Sequence, residues 1–354
     1  MLKENYHIVG VMSGTSLDGI DLAEISFTKK DTWQFQILNS TTISYSEDWL
    51  RKLKSLTQKT KEDLQQIDVD YTNYLAEVIS TFIKKNNINH LDAVCSHGHT
   101  ALHQPGQKLT YQIGNLPELA KKINQNVVCD FRVQDVKFGG QGAPLVPIGD
   151  ELLFSDYDYC INLGGFANVS TLINKQRIAF DICPVNTVLN KYVQQLGLNF
   201  DDKGNLASQG KINQQLLEQL NALDFYKKSY PKSLGLEWVE QQIFPLINQY
   251  DLTIKDILRT MVEHVAQQIA KVISQKVNVS VLLTGGGTYN DFLVERIKAL
   301  TNNKIVIPSK EIIEFKEALI FGFLGVLKLR DENNCLASVT GANKDHSSGN
   351  IFKI

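Results

Sequence analysis

One pattern occurs twice in this chain, about half its length apart: a short apolar strand, a turn of small residues, then a second strand. The first copy is His7–Met12, the turn Ser13-Gly14-Thr15-Ser16-Leu17-Asp18-Gly19, and Ile20–Phe27. The second is Tyr159–Leu163, the turn Gly164-Gly165-Phe166-Ala167-Asn168, and Val169–Ile173, with Arg177–Phe180 as a further strand. A spacing this wide is not that of a solenoid repeat. Helical stripes lie between and after the copies. Leu64, Ile67, Tyr71, Leu75, Val78, Ile79 and Phe82 recur at three or four residues, and so do Leu258, Met261, Val262, Val265, Ile269, Val272 and Ile273. Ala318–Leu329 is apolar enough to be a buried helix. The pattern predicts an α/β chain of two related domains, each opening with a hairpin; the bland alternative is two ordinary hairpins. The length of 354 residues suits about two domains.

Charge and cysteine content narrow the function classes. Lys plus Arg total 36 and Asp plus Glu total 38, for a net charge of -2. Such a balance carries no electrostatic footprint for nucleic acid or an acidic membrane surface. The five cysteines are odd in number, scattered, and show no CxxC, which argues against a disulfide framework or a cysteine zinc site. The first residues have no signal-like apolar core, and no apolar run is long enough to cross a bilayer. A soluble cytoplasmic protein acting on a small ligand is expected.

Three glycine turns follow predicted strands: Gly14–Gly19, Gly164-Gly165 and Gly285-Gly286-Gly287. Successive backbone N–H groups in such turns form anion-binding concavities, and the hydroxyls of Ser13, Thr15 and Ser16 can add hydrogen bonds. Neither a Walker A loop nor a GxGxxG fingerprint is present. Each turn alone is an ordinary hairpin feature; three together favour nucleotide phosphates. Asp181, after Arg177–Phe180, is placed either as a general base or as an N-cap for a helix from Val185. His97, His99 and His103 invite a zinc reading but lack a metalloprotease spacing, and hydrogen bonding to a polar ligand is preferred. Asp130 and Arg132 read on chemistry alone as an internal ion pair. Glu317 is a first-turn helix acid or faces a cleft.

The string Val9-Gly10-Val11-Met12-Ser13-Gly14-Thr15-Ser16-Leu17-Asp18-Gly19 resembles the opening of the anhydro-N-acetylmuramic acid kinases. The likeness continues through Ser96-His97-Gly98, Asp130-Phe131-Arg132, Gly139–Pro147, Asn162–Asn168, Pro231-Lys232-Ser233, Thr284–Asn290, Glu317-Ala318 and Val339-Thr340-Gly341-Ala342. The resemblance implies two duplicated actin/hexokinase-like (RNase H-like) domains around an ATP and sugar cleft. One would comprise residues 1–132 with about 313–354, the other 133–312. It implies ATP and Mg²⁺, the metal carried by the nucleotide rather than by protein ligands. The substrate would be 1,6-anhydro-N-acetylmuramic acid, with the bridge hydrolysed and O6 phosphorylated, in peptidoglycan recycling. A homodimer is also compatible with it.

Carried over position by position, the resemblance makes Asp181 and Glu317 catalytic, Asp181 as the base and Glu317 on the sugar side. Gly14, Thr15, Ser16, Leu17, Asp18, Gly19, Gly164, Gly165 and Asn168 would serve the phosphates. Gly285, Gly286, Gly287 and Asn290 would line the adenosine. His97, Thr100, Asp130, Arg132 and Asn186 would face the sugar, Arg132 now taking the lactyl carboxylate. The chain departs from the family pattern in two places. Ile182-Cys183-Pro184-Val185-Asn186 stands where Thr-Gly-Pro-Gly-Asn is expected, and Ile148-Gly149-Asp150-Glu151 replaces a segment containing histidine. Two other readings follow from these departures: a nucleotide-binding regulatory protein without turnover, or a hydroxyl-directed sugar kinase of altered specificity.

Overall fold

The computed structural model describes residues 3–14 and 17–354. The chain forms two compact units, residues 1–153 with 315–354, and residues 154–314. The first unit therefore extends past the expected break at 132. The reason is packing: Asp135 and Asp150, on the short helices Val133–Lys137 and Pro147–Leu153, are held by Thr340 and Lys316 of the same unit.

In the first unit β1 (Asn5–Ser13), β2 (Ile20–Lys29) and β3 (Trp33–Ile43) form an antiparallel meander. β4 (Ala93–Gln104) lies parallel to β1, and β6 (Val127–Cys129) parallel to β4. β5 (Leu109–Ile113) hairpins back on β4, and β12 (Asn350–Phe352) closes the far edge against β6. In the second unit β7 (Tyr159–Leu163), β8 (Phe166–Ile173) and β9 (Gln176–Pro184) repeat the meander. β10 (Ser280–Thr284) is parallel to β7 and β11 (Lys304–Val306) parallel to β10. The orders β6-β4-β1-β2-β3 and β11-β10-β7-β8-β9 are the same path with the same strand senses. Two hairpins alike by chance would not share the later parallel strands as well, so the chain is a duplication.

Parallel neighbours need a crossover, and a long amphipathic helix supplies it in each unit. Lys61–Lys85 buries Leu64, Tyr71, Leu75, Val78, Ile79 and Phe82, the stripe read from the sequence. Ile254–Ile273 buries Leu258, Met261, Val262, Val265, Ile269 and Ile273. The helix Lys310–Leu329 starts earlier than Ala318 and loses helical geometry at Phe315 (φ -113°, ψ 15°). Beyond that break it packs on β1 so closely that a Cβ on Gly10 would lie 2.1 Å from the Ala318 carbonyl oxygen. Among the described residues no helix is long and apolar enough to cross a membrane. The five cysteines are buried thiols.

A buried histidine makes the second unit's stability depend on pH. His264 lies between Asn221 Oδ1 (2.7 Å) and the Tyr226 hydroxyl (2.9 Å), and burial pushes it down to about 3 from 6.5. Below about pH 6.5 the unfolded chain holds the extra proton, so stability is fully present above that pH and falls as pH drops towards the folded value. The slope for one such group is up to about 1.4 kcal/mol per pH unit. His264→Gln removes the titration. Its destabilisation relative to the parent should therefore shrink between pH 7 and pH 5, as read from urea midpoints; a constant difference would assign the pH response to other groups.

Candidate functional site

In the first unit the β1–β2 turn begins with Ser13, whose hydroxyl is not available to a phosphate. It is buried among Tyr45 OH (2.5 Å), Tyr71 OH (2.9 Å) and His99 Nδ1 (2.8 Å). That corrects the phosphate role expected of it, because three polar partners inside the core already use its donor and acceptors. Gly14 O accepts from Leu17 N–H, Leu17 takes a left-handed φ of 63°, and Asp18 is exposed. Gly19, with φ 153°, abuts Ile43 O. Thr15 and Ser16 lie outside the described residues.

β4 runs on past Ser96, so His97 and His99 are strand residues rather than members of a loop after it. The histidines do not converge on a metal. His97 Nδ1 donates to Gly98 O (2.8 Å), His99 faces Ser13, and His103 Nδ1 meets Thr110 Oγ1 (3.1 Å). His97 Nε2 instead accepts from Arg132 Nε at 2.9 Å, which fixes its neutral tautomer. Burial, with the Arg132 charge beside it, holds His97 well below the ordinary histidine range. Arg132 Nη1 donates to Gly142 O (2.7 Å), and the guanidinium lies over the Phe321 ring, 5.7 Å from its centre.

The expected Asp130–Arg132 ion pair does not form. Asp130 sits at a left-handed φ of 60° and accepts instead from Asn115 Nδ2 (3.1 Å) and Asn350 Nδ2 (2.9 Å). The turn thus sends the two side chains to different partners. Arg132 keeps further guanidinium N–H groups with no carboxylate paired to them among the described residues. Glu317 lies inside the helix Lys310–Leu329, just after the Phe315 break, and so is not the first-turn acid expected. Its side chain is exposed. Thr100 is half-buried, with Gln112 Nε2 at 3.4 Å. Where the family pattern has histidine after Pro147, Asp150 is buried against Lys316 Nζ at 2.7 Å, next to Glu317.

In the second unit Asp181 lies inside β9, opposite Asn168 of β8, and so is not a strand-end cap. The helix that follows is Asn186–Val193, and its N-cap is Val185 without a side-chain bond. The Asp181 backbone N–H donates to Lys232 O (3.1 Å), and its Oδ2 accepts from Leu234 N–H (2.8 Å). No cation pairs with this carboxylate among the described residues. Burial raises its pKa, the Leu234 N–H opposing that shift, and the direction is the one that strengthens a carboxylate as a base. The loop 231–234 that holds it was not singled out as a support for Asp181; only its family likeness signalled it.

The glycine turns of this unit gather at the ends of β7 and β10. Gly165 O accepts from the N–H groups of Val185 (2.8 Å) and Thr187 (3.2 Å), and Gly164 O from Asn186 (3.3 Å). The Gly164 N–H is spent on Phe166 O (3.1 Å), against the expectation that it faces phosphate. Gly165, Asn168 and Gly286 are exposed. Gly285 has φ 83°, and a Cβ there would lie 2.5 Å from Asn162 Oδ1 and 2.8 Å from Leu163 O. A Cβ on Gly287 would lie 2.7 Å from Leu163 Cβ. Only glycine lets these two turns meet. Asn290 is buried, and its Oδ1 caps the helix Asp291–Ala299 by accepting from Leu293 N–H (2.9 Å).

The departure after Asp181 has a packing explanation. Ile182, Cys183 and Val185 are all within the hydrophobic core of this unit. Val185 has φ -126°, so no left-handed glycine is needed. These side chains fill the core side of the segment and leave Asp181 and its partners in place.

A model of the anhydro-N-acetylmuramic acid kinase family matches residues 6–354. The chain is 31% identical to the anhydro-N-acetylmuramic acid kinase of Haemophilus influenzae, covering 99% of this chain and 98% of that protein. It is 33% identical to the enzyme of the same name from Mannheimia succiniciproducens, covering 99% and 100%. With the match running from the first strand to the last residue, the chain belongs to the anhydro-N-acetylmuramic acid kinase family.

Proposed function

We propose that this protein transfers the γ-phosphoryl group of ATP to O6 of 1,6-anhydro-N-acetylmuramic acid while water opens the anhydro bridge, a cytosolic step in cell-wall recycling. The observation that carries the reading is Asp181: a carboxylate with no paired cation among the described residues, held by Leu234 N–H and made more basic by burial. Asp181 takes a proton from water as the water oxygen bonds to C1. The C1–O6 bond breaks, its electron pair goes to O6, and O6 bonds to the γ-phosphorus as the bond to the ADP oxygen breaks. The products are N-acetylmuramic acid 6-phosphate, ADP and one proton.

Phosphoryl transfer needs alignment and charge neutralisation more than covalent help. The close packing of Gly285 and Gly287 on Leu163 holds the turn so that Gly286, exposed and with open space where a Cβ would be, can bring its backbone close to a nucleotide. Magnesium, bound with the nucleotide, neutralises phosphate charge. Arg132, pinned through His97 and Gly142 O, offers its other N–H groups to the lactyl carboxylate. Glu317 and Thr100 serve the sugar side. The core placement of Ile182, Cys183 and Val185 favours turnover over the regulatory reading.

The test is Mg-ATP and the anhydro sugar in water enriched in heavy oxygen, quenched before anomeric exchange. The 6-phosphate with one heavy oxygen at C1 is the expected product. A phosphorylated sugar without the label would establish a hydroxyl-directed kinase, and nucleotide binding without product would leave a regulator.

A further inference from the structure

A buried side-chain cluster in the first unit has no part in the reaction above. Cys335 and His346 form an isolated antiparallel bridge, with Cys335 N–H to His346 O at 3.1 Å and His346 N–H to Cys335 O at 3.2 Å. Residues directly opposite in such a pair project to the same side. Here they meet Asp135, on the helix Val133–Lys137 that begins next to Arg132. One donor atom from each residue lies within 4.8 Å of the other two, and exposures are 0% for Asp135, 2% for Cys335 and 4% for His346.

The histidine's orientation leaves a charge problem. Its Nδ1 lies 3.1 Å from Lys344 O, and a carbonyl only accepts, so Nδ1 carries the hydrogen. In the neutral ring Nε2 is then a lone pair. It faces Asp135 Oδ1 at 3.6 Å, too far for a hydrogen bond, and it has no hydrogen-bond partner. A buried lone pair facing a carboxylate oxygen is costly unless a proton or a metal ion comes between them. The Cys335 thiol has only weak partners, Phe131 O at 4.0 Å and the Ser348 hydroxyl.

We propose that Asp135, Cys335 and His346 bind one divalent ion of the zinc class, which clamps the C-terminal segment to the Arg132 helix. Thiolate, imidazole and carboxylate together suit zinc and disfavour magnesium or calcium. The surrounding bonds are those of a prepared site. His346 Nδ1–H is fixed by a backbone carbonyl, and Asp135 is aimed by Thr340 Oγ1 (2.7 Å) and Gly142 N–H (2.7 Å). The Phe138 ring packs edge-on against the imidazole at 5.0 Å. On binding, the ion forms a bond to Cys335 Sγ and the thiol proton leaves to solvent. Gly142 joins the site to Arg132: its N–H donates to Asp135, and its carbonyl oxygen accepts from the guanidinium.

The experiment strips the full chain with chelator and titrates it with Zn²⁺ and, separately, Co²⁺. One ion per chain is expected, a cobalt–thiolate charge-transfer band, and a thermal midpoint raised by Zn²⁺. Cys335→Ser should abolish the band, and His346→Ala should weaken affinity at least about tenfold. Cys160→Ser, in the other unit, should change neither. The wild-type cobalt spectrum decides the matter even if a variant folds poorly. Sub-stoichiometric binding, a cobalt spectrum without the thiolate band, or equal affinity in folded His346→Ala would overturn the site and leave a protonated His346 beside Asp135.

Discussion

Asp181→Asn should lower turnover by at least about 10²–10⁴-fold, the range over which a positioned general base contributes. The substitution keeps the shape of the side chain and an oxygen that accepts from Leu234 N–H, so β9 and the loop 231–234 should stay in register. Nucleotide affinity should stay within about twofold, since Asp181 donates nothing to the glycine turns. What is lost is the ability to take the proton from water. Single-turnover product formation and ADP calorimetry, measured on the same preparation, check both halves. Turnover near the parent value would remove Asp181 from its role, and joint loss of ATP binding would make it structural.

Arg132→Ala should act mainly on the sugar. The guanidinium is anchored at both His97 Nε2 and Gly142 O, so truncation removes a carboxylate partner and also frees the neutral histidine beside it. Losing one partner of a buried charged contact costs about 2–5 kcal/mol. We therefore expect the sugar kcat/KM to fall by at least about 30-fold, with the KM for ATP nearly unchanged. Arg132→Lys should recover only part, because an ammonium cannot present the planar fork. His97→Ala, which removes the anchor and leaves the guanidinium, should raise the sugar KM less than Arg132→Ala. Equal effects of Arg132→Ala on sugar and ATP would sink the clamp.

The two departures from the family pattern show how packing absorbs sequence change. Val185 replaces glycine where the backbone has negative φ and the side chain has a core to enter. Asp150 is balanced by Lys316 at 2.7 Å, both nearly fully buried, so the change brings a charge and its partner into one place. A lone buried carboxylate there would cost more than the pair, whose attraction offsets part of the desolvation.

The sequence alone was enough for the features that local physics controls. The hairpin strands, the two crossover helices with their stripes, the glycine turns and the duplicated plan all follow from periodicity and turn chemistry. Local chemistry leaves Asp181 open between a general base and a helix cap; the family resemblance makes it the base, and the structure puts it inside β9. Tertiary structure decided where polar side chains spend their hydrogen bonds. It turned Ser13 inward to Tyr45, Tyr71 and His99, sent Asp130 to Asn115 and Asn350, and made Asn290 a helix cap. It also brought Thr340 to Asp135 across 205 positions of chain, and with it Cys335 and His346. Periodicity reports which face of an element is buried; it carries no information about which distant polar group waits there. Those pairings are set by the fold as a whole, because a buried donor or acceptor must find a partner wherever the packed chain provides one.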